Sequence, residues 1–334
     1  MVATSDSASL QSTVVGYIAG SGAKMGAFIR HLDSGETVES DADGLYLLAS
    51  VFKIPILLEA LAQVDERKLR LDERFALRWQ DQLPTSMILE HLAPGLQLSL
   101  RDLLTAMVTV SDNTATDMVA GIVGLENVMR RLDGWGLKNI AIRMSVEGLF
   151  NSAFRWPDSN RAIVETYREA VSHGPLVDPL TGVVDSPFME GLRRGPNYDA
   201  LPAKLSLDNN VSSPRAMGEL LERLVRGHLL SPTGTRMALD IMLRQQLNQR
   251  LPRFLPPSAR MAHKTGTFYN ARNDAGILYL PDGGKAIVVI FAVLDRDRMH
   301  ADPLESVPYI DRVDSAMGHI ARSAYDAFVS FADA

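Results

Sequence analysis

The chain changes its hydrophobic period twice. Residues 13–48 read as strands. Thr13 to Ala19 is β-branched and apolar, and Gly20-Ser21-Gly22 turns the chain. Ala27 to His31 is a second run, closed by the hairpin-type turn Asp33-Ser34-Gly35-Glu36. From Ser50 the period becomes helical, with Ile54, Leu57, Leu58, Leu61 and Val64 on one face, until Asp65-Glu66-Arg67-Lys68 ends the run. Further helices are predicted over Ser99–Met107, Asn113–Ile122 and Asn127–Trp135. The first carries a capping box, Ser99 with Asp102 three residues on.

Residues 152–212 are rich in turn formers and enclose one helical pattern, Asn160–Ser172. Pro214 then opens a helix through Val225, since proline suits the first helical position. Ser231–Gln246 is helical again. Strands return at Ala275–Leu280 and Ala286–Leu294 around the turn Pro281-Asp282-Gly283-Gly284. An amphipathic helix, about Ile310–Phe331, ends the chain. Strands early and late with helices between predict an α+β fold. Residues 1–49 and 247–334 would form a discontinuous sheet domain. Residues 50–246 would form a mostly helical domain carrying the extended segment 152–212.

Composition narrows the class. The chain has 334 residues, 46% apolar and 22% charged, which is that of a globular protein. There are no cysteines, so disulfides, thiol nucleophiles and Cys-ligated metals are excluded. A net charge of −6 without a basic block argues against a nucleic-acid partner. No run is long enough to span a bilayer. Residues 1–20 carry no Lys or Arg and only a short apolar run, so no leader is read. The chain as written reads as cytoplasmic; the alternative is an exported protein whose leader has been removed. No metal or cofactor is called for, and a small-molecule substrate is the expected partner.

Three short motifs carry chemistry. Ser50-Val51-Phe52-Lys53 opens the first helix. A serine hydroxyl needs a base, and Lys53 one turn on is placed to act as one once burial lowers its pKa. The helix N-terminus favours a developing oxyanion. The alternative for Ser50 is a simple N-cap. Ser21-Gly22-Ala23-Lys24 repeats the spacing in a glycine turn with no helix after it, and reads as a decoy. Ser111-Asp112-Asn113 stands between two helices, where all three residue types also suit N-capping. Lys264-Thr265-Gly266-Thr267 enters a late strand. No Gly-x-Ser-x-Gly elbow and no His-Glu-x-x-His occurs.

Ser-x-x-Lys, Ser-Asp-Asn and Lys-Thr-Gly in this order form the signature of active-site serine penicillin-recognising enzymes. The chain resembles class A β-lactamases and their serine-hydrolase relatives. The likeness covers roughly residues 13–151 and 211–330, including Ser213-Pro214-Arg215-Ala216-Met217 and Arg272-Asn273-Asp274. It implies a class A β-lactamase-like, two-domain α/β sandwich and an acyl-Ser50 intermediate. Lys53 would be base or proton relay, and Ser111 would pass a proton to the leaving nitrogen. Asn113 would hold the substrate amide. Lys264 would supply positive potential, and Thr265 would meet a substrate carboxylate. The oxyanion hole would be the N–H groups of Ser50 and Thr267. Gly266 and Arg272 belong to the same strand and the turn beyond it, and Arg272 is a candidate substrate contact.

The resemblance places the deacylating glutamate on a loop after Ser-Asp-Asn. Glu147, with Asn151 shortly after, sits in a similar place, although Gly148 and Phe150 depart from the usual loop. Three functions are expected to compete. The first is a serine hydrolase of β-lactams or related amides or esters. The second is a cytosolic transacylase passing the acyl group to an amine. The third is a penicillin-binding sensor acylated once. The absent leader and the long segment, whose Trp156, Phe188 and Tyr198 anchor it or line a cleft, favour the second; Glu147 with Asn151 argues against the third.

Overall fold

The computed structural model describes residues 4–83, 85–154 and 208–330. The predicted helix at Asn160–Ser172 and the three aromatics of the long segment lie outside them. In chain order the elements are α1 (Thr4–Ser21), β1 (Lys24–His31), β2 (Thr37–Ser40), β3 (Tyr46–Leu47) and α2 (Lys53–Asp65). Next come β4 (Arg74–Ala76), β5 (Gln97–Ser99), α3 (Leu100–Thr109), α4 (Asn113–Val123), α5 (Leu125–Gly134), β6 (Ile140–Ala141) and α6 (Val146–Phe154). After the undescribed stretch follow β7 (Val211–Ser212), α7 (Pro214–Val225), α8 (Pro232–Met242), β8 (Arg260–Phe268), β9 (Ala271–Tyr279) and β10 (Lys285–Val293). The short α9 (Arg296–Met299) and the long α10 (Pro303–Ser330) come last.

The fold is α+β. Five antiparallel strands lie in the order β2-β1-β10-β9-β8, so the first and last strand-forming regions are neighbours. β1 and β10 pair from Lys24 opposite Val293 to His31 opposite Ala286. Strand side chains alternate between faces. In β10, Ala286, Val288, Ile290 and Ala292 enter one core, while Ile287, Val289 and Phe291 enter the other. Both faces are covered, which is why β10 reads as an unbroken apolar run. The first core is closed by α1 and α10, through Leu10, Val14, Val313 and Met317. The second runs from the sheet into α2, α3, α4, α7 and α8.

Helix α2 is buried on all sides from Lys53 to Gln63, so it is a central rod rather than an amphipathic surface helix. Its buried Glu59 is paired with Arg131 at 2.7 Å and accepts from Gln63 at 2.7 Å. The capping box at Ser99 forms: its hydroxyl accepts from the Asp102 N–H at 3.1 Å, and Asp102 accepts from the Ser99 N–H at 2.9 Å.

Thr13–Ala19 is helical, not a strand; it belongs to α1. Its β-branched residues favour sheet locally, but Leu10, Val14, Tyr17 and Ile18 form a helical stripe packed on the core under α10. Burial of that stripe outweighs the small propensity difference. Among the described residues no helix is long and apolar enough to cross a membrane.

Candidate active site

Ser50 lies in a 3₁₀ turn, Ala49–Phe52, that feeds directly into α2. It is half-buried and is not a helix cap: Leu48 and Phe52 occupy the two cap positions. Ala49 sits at φ 46°, a left-handed conformation that costs a non-glycine residue energy and needs external support. Asn273 of β9 gives it. Its Nδ2 donates to the carbonyls of Leu47 at 2.6 Å and Leu48 at 3.1 Å, and its Oδ1 accepts from the Ala292 N–H at 3.2 Å. β8, the sheet edge, runs close against the turn. A Cβ on Gly266 would lie 2.6 Å from the Leu48 carbonyl oxygen and 3.2 Å from Ala49 Cβ. Gly266 is therefore required by close approach.

Two lysines converge on Ser111, itself at φ 61° between α3 and α4. Lys53 Nζ donates to the Ser111 carbonyl at 2.7 Å, to Ser111 Oγ at 3.1 Å and to Asn113 Oδ1 at 2.8 Å. Lys264 Nζ donates to Ser111 Oγ at 3.0 Å and to the Thr265 carbonyl at 2.8 Å. A hydroxyl oxygen has two lone pairs. Here the two lysine Nζ atoms both lie within hydrogen-bond distance of that one oxygen. Both lysines are fully buried. Burial pushes Lys53 down to about 7, against the pull of the Asp112 and Asp117 carboxylates. Burial, reinforced by the Lys53 charge, holds Lys264 well below the usual lysine range, against Asp274.

The Ser111–Thr114 segment anchors its surroundings residue by residue. Asp112, buried, caps α4 by accepting from the Ala115 N–H and also accepts from the Ile88 and Leu89 N–H groups, all at 2.9 Å. Asn113 Nδ2 donates to the Thr85 carbonyl at 3.2 Å and hydroxyl at 3.1 Å. Thr114 Oγ1 accepts from the Leu83 N–H at 2.8 Å and lies 2.6 Å from Ser86 Oγ.

Glu147 is placed differently from the sequence reading. It lies in the first turn of helix α6 rather than in a loop, with Asn151 one turn later. Asp117 organises this start by accepting from the Val146 N–H at 2.7 Å and the Glu147 N–H at 2.9 Å. Ser145 Oγ accepts from the Gly148 N–H at 3.1 Å. The Glu147 side chain is exposed and makes no hydrogen bond to Lys53, Ser111 or Asn113. It lines a cavity of about 890 Å³ with Asp117, Arg74 and Arg78. Burial raises the Asp117 pKa, against the two N–H groups that favour its charged form.

Beyond Lys264, Thr265 and Thr267 continue β8. Arg272, opposite Thr267 in β9, turns its side chain onto Asp314 of α10, with Nε at 3.1 Å, and so stands outside the lysine cluster. Arg250 is buried behind the strand. It donates to the Gly266 carbonyl at 2.9 Å, the Asn273 carbonyl at 2.6 Å, Asp314 at 3.1 Å and Thr267 Oγ1. Thus Lys53, Ser111, Asn113 and Lys264 meet in direct contact, whereas Glu147 and Arg272 do not join them. Arg250, Asp117 and Thr85 were not singled out from sequence, and Asn273 entered only within the run Arg272-Asn273-Asp274. Only Asp117 had a signal, four residues after Asn113 and so on one helix face.

Residues 9–328 match the model of the beta-lactamase enzyme family. The chain is 23% identical over 291 residues to beta-lactamase VEB-1 of Pseudomonas aeruginosa, covering 82% of this chain and 79% of that protein. It is 26% identical over 300 residues to the beta-lactamase regulatory protein BlaB of Streptomyces cacaoi, covering 84% and 87%. The crystal structure of a beta-lactamase from Chitinophaga pinensis superimposes with a TM-score of 0.71 at 25% identity, covering 96% of this chain and 99% of that one.

Proposed function

The chain belongs to the beta-lactamase enzyme family, and we propose that it is an active-site serine hydrolase that opens a β-lactam, or a related amide or ester, through an acyl-Ser50 intermediate. One observation carries this reading: Lys53 and Lys264 converge on the single hydroxyl of Ser111. Ser50 Oγ attacks the substrate carbonyl and its proton passes to Lys53 as the neutral amine, which the lowering to about 7 makes available near neutrality. The N–H groups of Ser50 and Thr267 receive the oxyanion. When the ring C–N bond breaks, the Ser111 hydroxyl gives its proton to the leaving nitrogen and takes one back from the Lys53 ammonium. Lys264 and Thr265 meet a substrate carboxylate, with Arg250 and Arg272 adding positive potential behind them. Asn113 holds an amide of the acyl side chain. Glu147, with Asn151, activates the water that cleaves the ester.

The exposed position of Glu147, apart from the lysine cluster, favours a second reading, in which deacylation is slow and the protein acts as a sensor. Mixing it with a chromogenic β-lactam while following turnover and intact mass separates these outcomes. Rapid turnover supports the hydrolase. A lasting adduct on Ser50 supports the sensor, and slow turnover accelerated by added amines supports a transacylase. No adduct at all, with Ser50→Ala indistinguishable from the native chain, rejects Ser50 as nucleophile. Glu147→Gln should trap the acyl-enzyme; undiminished deacylation removes Glu147 from the water-activating role.

A further inference from the structure

His263 immediately precedes Lys264 in β8, and nothing in the proposed reaction uses it. Its side chain is buried, and so is that of Asp274 in β9. The register brings the two together. His263 lies opposite Gly276 and Thr265 lies opposite Asp274, so His263 and Asp274 are diagonal neighbours on one face of the strand pair. The glycine makes room for the ring, since a Cβ on Gly276 would lie 2.5 Å from His263 Cβ.

The ring is held at both ends. Nδ1 lies 2.9 Å from Asp274 Oδ1, and Nε2 lies 3.1 Å from Asn248 Oδ1. One partner is a carboxylate oxygen and the other an amide carbonyl oxygen, and both accept. A neutral imidazole has one N–H and satisfies one of them; an imidazolium has two and satisfies both. The second Asp274 oxygen accepts from the Leu251 N–H at 3.2 Å. A buried charge is tolerated when it is paired and hydrogen-bonded, and an imidazolium gives Asp274 both.

Around this pair stand Lys264, with Lys53 of α2 beyond it, and Arg250, which is bonded to Asp314 of α10 beside Arg272 of β9. Helix α8 packs on β8 and carries Arg236 and Asp240, both exposed. The turn Ala49–Phe52, also against β8, carries no charged side chain. Burial drives the proton from Lys264, the Lys53 charge adds to that, and the Asp274 charge works against both.

We propose that His263 is a buried imidazolium that neutralises Asp274 and so loosens the hold of that carboxylate on the Lys264 proton. His263 touches no reacting atom. It is a positioning residue that acts on Lys264 through Asp274. Lys264 meets a substrate carboxylate as the ammonium, so His263 lowers the pH above which carboxylate substrates bind weakly. That last step rests on the role given to Lys264 under the proposed function.

The test reads both charges by NMR before any substrate is added. In the chain labelled at histidine nitrogens, both ring nitrogens of His263 should carry protons at neutral pH; a bare nitrogen overturns the proposal. The Lys264 signal, labelled at Cε and assigned by its loss in Lys264→Arg, is then titrated. His263→Gln keeps a donor for Asp274 but not the charge, and should raise the Lys264 midpoint by about one pH unit. An unmoved or lowered midpoint overturns the proposal. These two readings decide it even if Asp274→Asn does not fold. If it folds, adding His263→Gln to Asp274→Asn should leave the midpoint where Asp274→Asn puts it; an equal rise in both backgrounds would mean that His263 does not act through Asp274.

Acylation of Ser50 by benzylpenicillin, read by intact mass, separates this from the proposed function. Its half-saturating concentration should climb on the alkaline side at the Lys264 midpoint, and on that limb His263→Gln should need about tenfold less penicillin than the native chain. If the midpoint moves and the penicillin does not follow, the assignment of Lys264 to the carboxylate is lost while His263 keeps its role. A native chain that is never acylated rejects the proposed function and leaves the NMR readings to decide His263.

Discussion

Gly266 of β8 and Leu48 of the turn before Ser50 approach so closely that a Cβ on the glycine would lie 2.6 Å from the Leu48 carbonyl oxygen. Strand and turn are therefore fitted as one unit. In Gly266→Ala that oxygen is backbone and cannot swing aside, so the turn carrying Ser50 must shift by several tenths of an ångström. Acylation of Ser50 by a reporter β-lactam should fall about tenfold to 100-fold, in line with the sensitivity of reacting groups to small displacements. A variant that acylates as fast as the native chain would show that the turn is not positioned by β8.

The burial of Lys53 sets a pH dependence. Under the proposed mechanism the reactive form is the neutral amine, and burial brings the Lys53 pKa down to about 7. Below that value the ammonium dominates, so the acylation rate should drop about tenfold per pH unit on the acid side and level off above neutrality. A rate independent of pH through neutrality would assign the proton transfer to another group.

Asn273 is buried and satisfies two carbonyls and one N–H in two different elements. Asn273→Ala removes three buried hydrogen bonds, the Leu48 carbonyl alone keeping a second donor in the Val51 N–H, and should cost about 3 kcal/mol of stability, read from a denaturant titration. The surviving folded fraction should also acylate more slowly, because Ala49 loses the support that keeps it left-handed. Loss of stability with an unchanged acylation rate would separate the fold from the site.

Asp117 caps the helix that carries Glu147. Asp117→Ala removes that cap and leaves the contacts at Ser111 intact. Deacylation should slow about tenfold while acylation, read above neutrality where Lys53 is already neutral, stays near the native rate, since loss of the Asp117 charge also lets the Lys53 pKa fall further. The half-life of the adduct by intact mass checks this directly; a short-lived adduct in the variant would mean that α6 needs no help from Asp117.

The candidate site was legible wherever its chemistry is written in adjacent residues. Ser50 with Lys53, Ser111 with Asn113, and Lys264 with Thr265 each need only a helix start or a strand edge to be placed, and those elements are set by local periodicity. Arg250 was opaque for the opposite reason, and Asn273 showed only as part of the run Arg272-Asn273-Asp274, without a role. Their partners lie in other elements, and no local pattern distinguishes a buried arginine from a surface one. Thr85 was hidden too, because its contact with Asn113 spans 28 positions of chain. The misread of Thr13–Ala19 has the same origin: β-branched residues suggested a strand, and the distant α10 decided otherwise. Glu147 was read as a loop residue and lies in a helix instead, since the cap that makes it helical comes from Asp117.

The bonds from Asn273 to Leu47 and Leu48 join residues more than two hundred positions apart in the chain. Lys264 reaches Ser111 across another 153. A chain emerging from the ribosome therefore holds Ser50, the proposed nucleophile, long before it holds the strands that shape its turn. Contacts of such sequence separation form late, after the cost of closing large loops has been met. The growing chain would expose an unshaped serine that is chemically ordinary. Acylation of Ser50 by a penicillin probe would then report the completion of folding itself, appearing only once β8 and β9 have been synthesised and have closed on the early turn.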